Sequence, residues 1–369
     1  MLKKIIHCHP NGRMAAHFVE PLIQAELSQG YQSMMVNSCY VAVGRDKLIR
    51  YDLALSNLFG LPWHFLKLFF FLRQQRPDLL VSHNAKSSLL PLIAACISCV
   101  PKRIYFNHGV PYVGYRGILR LIFWLFEWLN CRLATEAVTV SPDMARILGQ
   151  VRSQTKISVI NRGSASGIDL DIYRRLNYRD SNFRQSHGIK EKDFVVVFVG
   201  RPERRKGFDA VMTLWDKFFT GEDDFRLVLC GPSHEAMTKN GQTLPANILC
   251  LGFCDNVPEV LCSADCLILP SLHEGLSYAV LEAMACGCLV LVNDIDGIRN
   301  LVEDQVNGFL VPGNSLETYA RLLHAFRDNP EQYASVRVRG VETAAQFSRE
   351  TFMPAYLSFI QRVLEDKVG

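Results

Sequence analysis

The stretch Pro270-Ser-Leu-His-Glu-Gly-Leu-Ser-Tyr-Ala-Val-Leu-Glu-Ala-Met-Ala-Cys-Gly287 decides the fold. The apolar run Cys266–Leu269 leads into it and Leu289–Val292 follows it. Between them, Ala279, Leu281, Met284 and Ala285 predict a helix that stops at Gly287. The result is a strand–turn–helix–strand unit, with Glu274 at the turn and Glu282 eight positions on, inside the helix. A helix N-terminus presents unpaired N–H groups and the positive end of the dipole, so this turn suits an anion. Gly275 permits close backbone approach. Glu274 would sit beside such an anion and suits a neutral, hydroxyl-rich group such as a sugar. Glu282 could accept from a diol, as ribose-binding acids do. The same residues also fit an ordinary α/β unit with a solvated loop carboxylate.

Working outward, 369 residues exceed one typical core, so two domains are expected. With 49% apolar and 21% charged residues the chain is globular, not disordered. Met1-Leu-Lys-Lys-Ile-Ile runs into a strand-like segment, with no leader expected. The uncharged, largely apolar stretch Ser87–Pro101 is too short and too polar to span a bilayer. The twelve cysteines sit mostly in apolar runs, such as Cys96 and Cys99 within Leu89–Val100. They read as reduced, buried thiols of a cytoplasmic protein rather than as disulfides or a zinc site. Residues 1–170 carry 19 Lys/Arg against 9 Asp/Glu, a net +10; the remainder carries 21 against 27, a net −6. The basic half calls for an anionic partner, a membrane surface or nucleic acid.

Along the chain, Lys3–His7 predicts a strand, Pro10–Arg13 a turn, Ala15–Ser28 a helix and Tyr31–Val36 a second strand. This is a Rossmann-type opening without Gly-x-Gly-x-x-Gly, which speaks against a dinucleotide cofactor. Arg13 could hold an acceptor phosphate, or be a solvated turn residue. Pro62–Arg73 and Tyr115–Leu133 predict aromatic helices, the second with Trp124 and Trp128 one turn apart and Arg116, Arg120 and Arg132 beside them. These helices could lie against lipid headgroups, or pack on the sheet. Strand Lys102–Phe106 ends at Asn107-His108-Gly109, and the carboxyl end of a parallel strand is where open α/β sheets bind ligands. In the second half, Arg201 and Lys206 follow strand Asp193–Val199 and precede a helix. Across a turn they could clamp two phosphates, one as a planar fork and the other as a point charge. Arg204 and Arg205 read as solvated.

The pattern Glu274-x7-Glu282, followed by Ala-Met-Ala-Cys-Gly, resembles the signature of the retaining nucleotide-sugar glycosyltransferases of family 4. Val199-Gly-Arg201-Pro-Glu-Arg-Arg-Lys206-Gly207 is similar to that family's Gly-Arg…Lys-Gly loop. Leu251-Gly-Phe253, Ala264-Asp265 and Asn307-Gly-Phe-Leu-Val311 also fall where members carry such pieces. The resemblance covers most of residues 155–315 and is looser over the first 150. It implies the α/β GT-B fold, two Rossmann-like domains with parallel sheets facing across a cleft. The expected division is an acceptor-binding domain over 1–175, a linker over 176–192, a donor domain over 193–347, and a last helix over 348–369 crossing back.

The resemblance also implies roles. Glu274 would hold sugar hydroxyls and Glu282 the ribose. The amides of Gly275, Leu276 and Ser277 would meet the diphosphate. Arg201 and Lys206 would stabilise the leaving diphosphate, and His108 would face the donor sugar. No cofactor and no metal are expected. The triplets Asp169–Asp171 and Asp294–Asp296 are of a kind that holds metal in other transferases, but are common by chance. The expected reaction moves a sugar from a nucleotide diphosphate sugar, a UDP-sugar first, to a hydroxyl of a lipid-linked glycan. Tyr112–Arg132 resembles enzymes that extend bacterial surface polysaccharides. The expected location is the cytoplasmic face of the cell membrane, against an anionic surface and without nucleic acid. A nucleotide-sugar epimerase of the same fold, or a non-catalytic membrane-bound scaffold, are the rival readings.

Overall fold

Phe194-Val-Val-Val-Phe-Val199 has no polar position at which a sheet face could meet water. Such a strand needs cover on both faces, the condition of a parallel sheet. The computed structural model, which describes residues 2–10, 12–37, 49–50, 60–178, 181–238 and 244–366, contains two such sheets. The first is built from β1 (Lys4–His9), β2 (Gln32–Asn37), β3 (Ile49–Arg50), β4 (Leu79–His83), β5 (Lys102–Asn107), β6 (Glu136–Thr139) and β7 (Ile157–Val159). Their order is β3-β2-β1-β4-β5-β6-β7. The second is built from β8 (Phe194–Val199), β9 (Phe225–Cys230), β10 (Ile248–Gly252), β11 (Cys266–Leu269), β12 (Leu289–Asn293) and β13 (Phe309–Val311), in the order β10-β9-β8-β11-β12-β13. All the strand pairs are parallel. In each sheet the chain starts in the middle, steps outward, and returns to the other side of its first strand. The reversal lies between β1 and β4 in one sheet and between β8 and β11 in the other. Ligands of such sheets bind beyond the carboxyl ends of the strands at that reversal.

The chain divides into two compact units, Met1–Gly167 with Arg349–Gly369, and Ile168–Ser348. At the boundary, the Ile168 N–H donates to Phe347 O at 2.9 Å, tying the two ends of the second unit together. Segment 176–192, expected as a linker, is built into the second unit. Arg184 ties it down, donating to Ser263 O at 2.9 Å and to Asp265 Oδ2 at 2.9 Å. The helix Arg349–Glu365 belongs to the first unit. Its Tyr356 hydroxyl donates to Glu26 Oε1 at 2.5 Å, and Arg362 Nη2 to Glu136 Oε1 at 2.7 Å. In the second unit Trp215 is fully buried, stacked on Phe219 and bonded through Nε1 to Asn247 Oδ1 at 3.1 Å.

Three local expectations change. Ala15–Ser28 is two helices, Gly12–Phe18 and Glu20–Ser28. Pro21 has no N–H to offer the preceding turn, so the ladder breaks there. Asn11 lies outside the described residues, and so does the side chain of Arg13. The helix expected from Tyr115 begins at Gly117, since Tyr115 and Arg116 are extended and Gly117 has φ +58°. Finally, Cys96 and Cys99 are exposed rather than buried, near the end of helix Ala85–Ile97.

Candidate active site

The second sheet reverses between β8 and β11, and the loops beyond those strands carry the charged residues singled out above. Beyond β8 come Arg201-Pro-Glu203, a tight turn Arg204–Lys206, and helix Phe208–Phe218. Beyond β11 come residues 270–277 and helix Tyr278–Ala285. The two loops touch at backbone level. Leu272 N–H donates to Arg205 O at 2.9 Å. Gly207 has φ +73°, and a Cβ there would lie 2.0 Å from Pro270 O. Only glycine permits this approach.

Lys206 and Glu274 meet at this junction. Lys206 Nζ lies 2.7 Å from Glu274 Oε1, with the Lys206 side chain 19% exposed and that of Glu274 6%. Ser271 Oγ donates to the same oxygen at 2.7 Å. Arg205 donates to His273 O at 3.2 Å and stands 4.0 Å from Glu274 Oε2. It therefore belongs to the site and is not the solvated residue expected from sequence. Its signal was absent from the sequence, because nothing there shows that the two loops meet. Beneath the turn, Asn293 donates to Ser271 O at 3.0 Å, and Tyr319 OH donates to Asn293 Oδ1 at 3.0 Å. Gly297, with φ +83°, presses the loop after β12 against the Glu274 carbonyl, where a Cβ would stand 2.3 Å away.

Leu276 and Ser277 are buried, and Ser277 caps the helix N-terminus in position without bonding through its side chain. Its buried Oγ has no partner among the described residues. Glu282 is buried inside the helix; burial raises its carboxyl to about 6, opposed by a hydrogen bond from Tyr173. Arg201 is not drawn into the cluster. Its side chain is 72% exposed and pairs with Glu203 at 2.8 Å. The Asp-x-Asp triplets are engaged by arginines: Arg174 lies 3.0 Å from Asp171, and Arg299 lies 2.5 Å from Asp294 and 3.7 Å from Asp296.

His108 is in the first unit, one residue beyond β5, stacked on Phe106 with its Nε2 3.0 Å from His83 Nδ1. The turn after it is braced from below. Asn107 Oδ1 accepts from Gly109 N–H at 2.8 Å, and Asn107 Nδ2 donates to Tyr105 OH at 2.7 Å and to Glu127 Oε2 at 3.1 Å. Burial pushes the Glu127 carboxyl up to about 8. The sequence hid Glu127 in an aromatic helix, where it looks like a polar interruption.

At this junction the second unit thus sets cations around a buried carboxylate, next to a helix N-terminus. Residues 180–342 match the family described as "Glycosyl transferases group 1" and residues 28–165 match "Glycosyltransferase Family 4". The chain belongs to the group 1 and family 4 glycosyltransferases. Among the relatives of this glycosyltransferase is the Escherichia coli "UDP-Gal:alpha-D-GlcNAc-diphosphoundecaprenol alpha-1,3-galactosyltransferase", 26% identical over 274 residues, which cover 72% of this chain and 70% of the relative. The capsular polysaccharide biosynthesis glycosyltransferase CapM of Staphylococcus aureus is 21% identical over 262 residues, covering 69% and 68%. Anabaena HepE, solved in complex with UDP-glucose, superposes with a TM-score of 0.79 at 18% identity, covering 97% of this chain and 99% of HepE. This last likeness concerns the fold, which is GT-B.

Proposed function

We propose that this glycosyltransferase moves a sugar, with retention of configuration, from a UDP-sugar to a hydroxyl of a lipid-linked glycan in bacterial surface polysaccharide synthesis. The observation that carries the proposal is the Lys206–Glu274 pair at the reversal of the second sheet. The donor diphosphate enters over the N-terminus of helix Tyr278–Ala285, taking hydrogen bonds from the amides of Gly275, Leu276 and Ser277 and from the Ser277 hydroxyl. Lys206, Arg205 and Arg201 turn to the phosphates. As the glycosidic bond breaks, negative charge grows on the leaving diphosphate, and fixed cations aimed at it lower the barrier. Glu274 holds sugar hydroxyls, Glu282 the ribose diol, and His108 a further sugar hydroxyl. With these cations supplying the countercharge, no metal is assigned a role. The lipid-linked acceptor is supported by the diphosphoundecaprenol in the name of the Escherichia coli relative. Contact with the inner membrane face is supported by exposed apolar side chains on two helices of the basic half.

The deciding experiment offers purified protein a panel of UDP-, GDP- and ADP-sugars with a membrane lipid extract, with and without Glu274→Gln, and with EDTA as a separate arm. The expected result is label passing to lipid from one UDP-sugar, unaffected by EDTA and lost in the variant. Absence of both turnover and thermal protection by any donor would overturn the proposal. Turnover abolished by EDTA would overturn the metal-free reading alone.

A further inference from the structure

The first unit buries a chain of side chains that ends at His108. It starts at Glu26, fully buried on helix Glu20–Ser28. Tyr356 OH donates to Glu26 Oε1 at 2.5 Å, and the Ser33 hydroxyl donates to Oε2. Burial and the Glu26 charge push the Tyr356 phenol well above its ordinary range, so it keeps its proton and donates. His7 Nε2 stands 3.2 and 3.1 Å from the two carboxylate oxygens. With both hydroxyls donating, the carboxylate accepts from His7, and the hydrogen sits on Nε2. The opposite polarity would set a nitrogen lone pair against carboxylate oxygens in a buried site.

A neutral imidazole has one N–H, so His7 Nδ1 is an acceptor. It lies 3.0 Å from His83 Nε2, which must donate. His83 Nδ1 then accepts from His108 Nε2 at 3.0 Å. Burial first, then the neighbouring rings, holds His83 well below the usual range and His108 down to about 3, so both rings stay uncharged. Nδ1 of His108 makes no hydrogen bond among the described residues, and the residue is half-buried.

We infer that Glu26, His7 and His83 are positioning residues that fix His108 as its Nε2–H tautomer, leaving Nδ1 as a hydrogen-bond acceptor for a ligand hydroxyl. The group that meets His108 must bring a hydrogen. A sugar hydroxyl fits, whereas a carboxylate or a fully ionised phosphate oxygen is repelled by the lone pair. That the ligand is a sugar rests on the proposed transferase reading. The polarity of the chain rests on this geometry with His7 neutral; an imidazolium at His7 would reverse it and leave His108 as its Nδ1–H form.

The test is long-range ¹H–¹⁵N correlation of the histidine side chains in the full-length protein, labelled at histidine, with His108→Asn and His83→Gln spectra for assignment. Once assigned, the wild-type spectrum decides it. Neutral Nε2–H forms at His7, His83 and His108 at pH 7 are expected. A Nδ1–H or doubly protonated His108 overturns the inference. In Glu26→Gln the amide can donate as well as accept, so His108 is expected to become a mixture of tautomers. A pure Nε2–H His108 in that variant removes Glu26 from the argument. The same variant is expected to lower kcat about tenfold while KM for the donor changes little, the pattern of an interaction that matters in the transition state. If the polarity is observed but no sugar donor is turned over or protects the protein against heating, the tautomer assignment stands and the transferase reading falls.

Discussion

Glu282 and Glu274 are both buried acids, yet their surroundings separate them. Glu274 has Lys206 and Ser271 on one oxygen; Glu282 lies inside a helix with burial as the dominant influence. The Glu282 carboxyl is raised from 4.5 to about 6. Between these values the folded protein binds more protons than the unfolded chain, so stability falls as pH rises through that window and stays lower above it. The shift corresponds to about 2 kcal/mol. In ligand-free protein, Glu282→Gln is expected to remove this decline and raise Tm at pH 7.5 relative to wild type. Donor binding, which the ribose contact would support, is expected to weaken. Thermal melts from pH 4.5 to 8, with and without UDP, measure both; a Tm–pH profile unchanged by the substitution would refute the assignment. At this scale, Lys206 and Glu274 were legible because their spacing around glycines forms a recognisable pattern. His7 and His83 were not, because in Ile-Ile-His-Cys-His and Leu-Leu-Val-Ser-His they pass for chance polar residues in strands. Only the pairing of β1 with β4 brings them together.

Elements were legible wherever periodicity and caps agreed, and misread where one residue altered the backbone. Pro21 splits one expected helix, and Gly117 delays another. The contact between the loops after β8 and β11 is of a different kind, since it depends on sequence-distant backbones touching. Gly207→Ala tests it. At φ +73° with a carbonyl oxygen 2.0 Å from the new Cβ, the loops must part. The expected loss is at least about 2 kcal/mol, the strained backbone and the clash acting together. Thermal unfolding should show it, and donor binding should fall with it. A wild-type Tm would mean that the loops are not clasped as described. The aromatic helix Gly117–Leu133 shows the opposite limit. Its tryptophans, Trp124 and Trp128, read from sequence as either lipid-facing or packed on the sheet, are half-buried. Its most exposed apolar side chains are instead Ile118 and Leu121, at 68% and 58%; on helix Leu61–Gln75 they are Trp63 and Phe70, at 61% and 64%. Composition marks such a helix as amphipathic, but only packing shows which stripe faces out.

For the whole molecule, charge and apolar exposure coincide in the first 170 residues, whose net charge is +10. None of the helices among the described residues is long and apolar enough to cross a membrane. Attachment by contact makes two predictions for sedimentation with vesicles containing anionic lipid. Binding should fall steeply as salt is raised and exposed charges are screened. Replacing both Ile118 and Leu121 by Asp should weaken it by at least about tenfold, since each apolar side chain withdrawn from water contributes about 1.5–3 kcal/mol. Binding indifferent to both would remove the membrane from the proposed function. The division into two units was foreshadowed by length and by two strand–helix alternations, but the exact seam was not, because it depends on Ile168 meeting Phe347. The first unit is closed by Tyr356, which arrives from the far end of the chain to bond Glu26. During synthesis the second unit leaves the ribosome as one continuous stretch, whereas the first must wait for its last piece. At about 5–20 residues per second, the roughly 180 residues between Gly167 and Arg349 take on the order of 10–40 s. For that interval Glu26 and the histidines beneath it lack their final partner, so the nascent half-made unit stays open to chaperones until helix Arg349–Glu365 has been made.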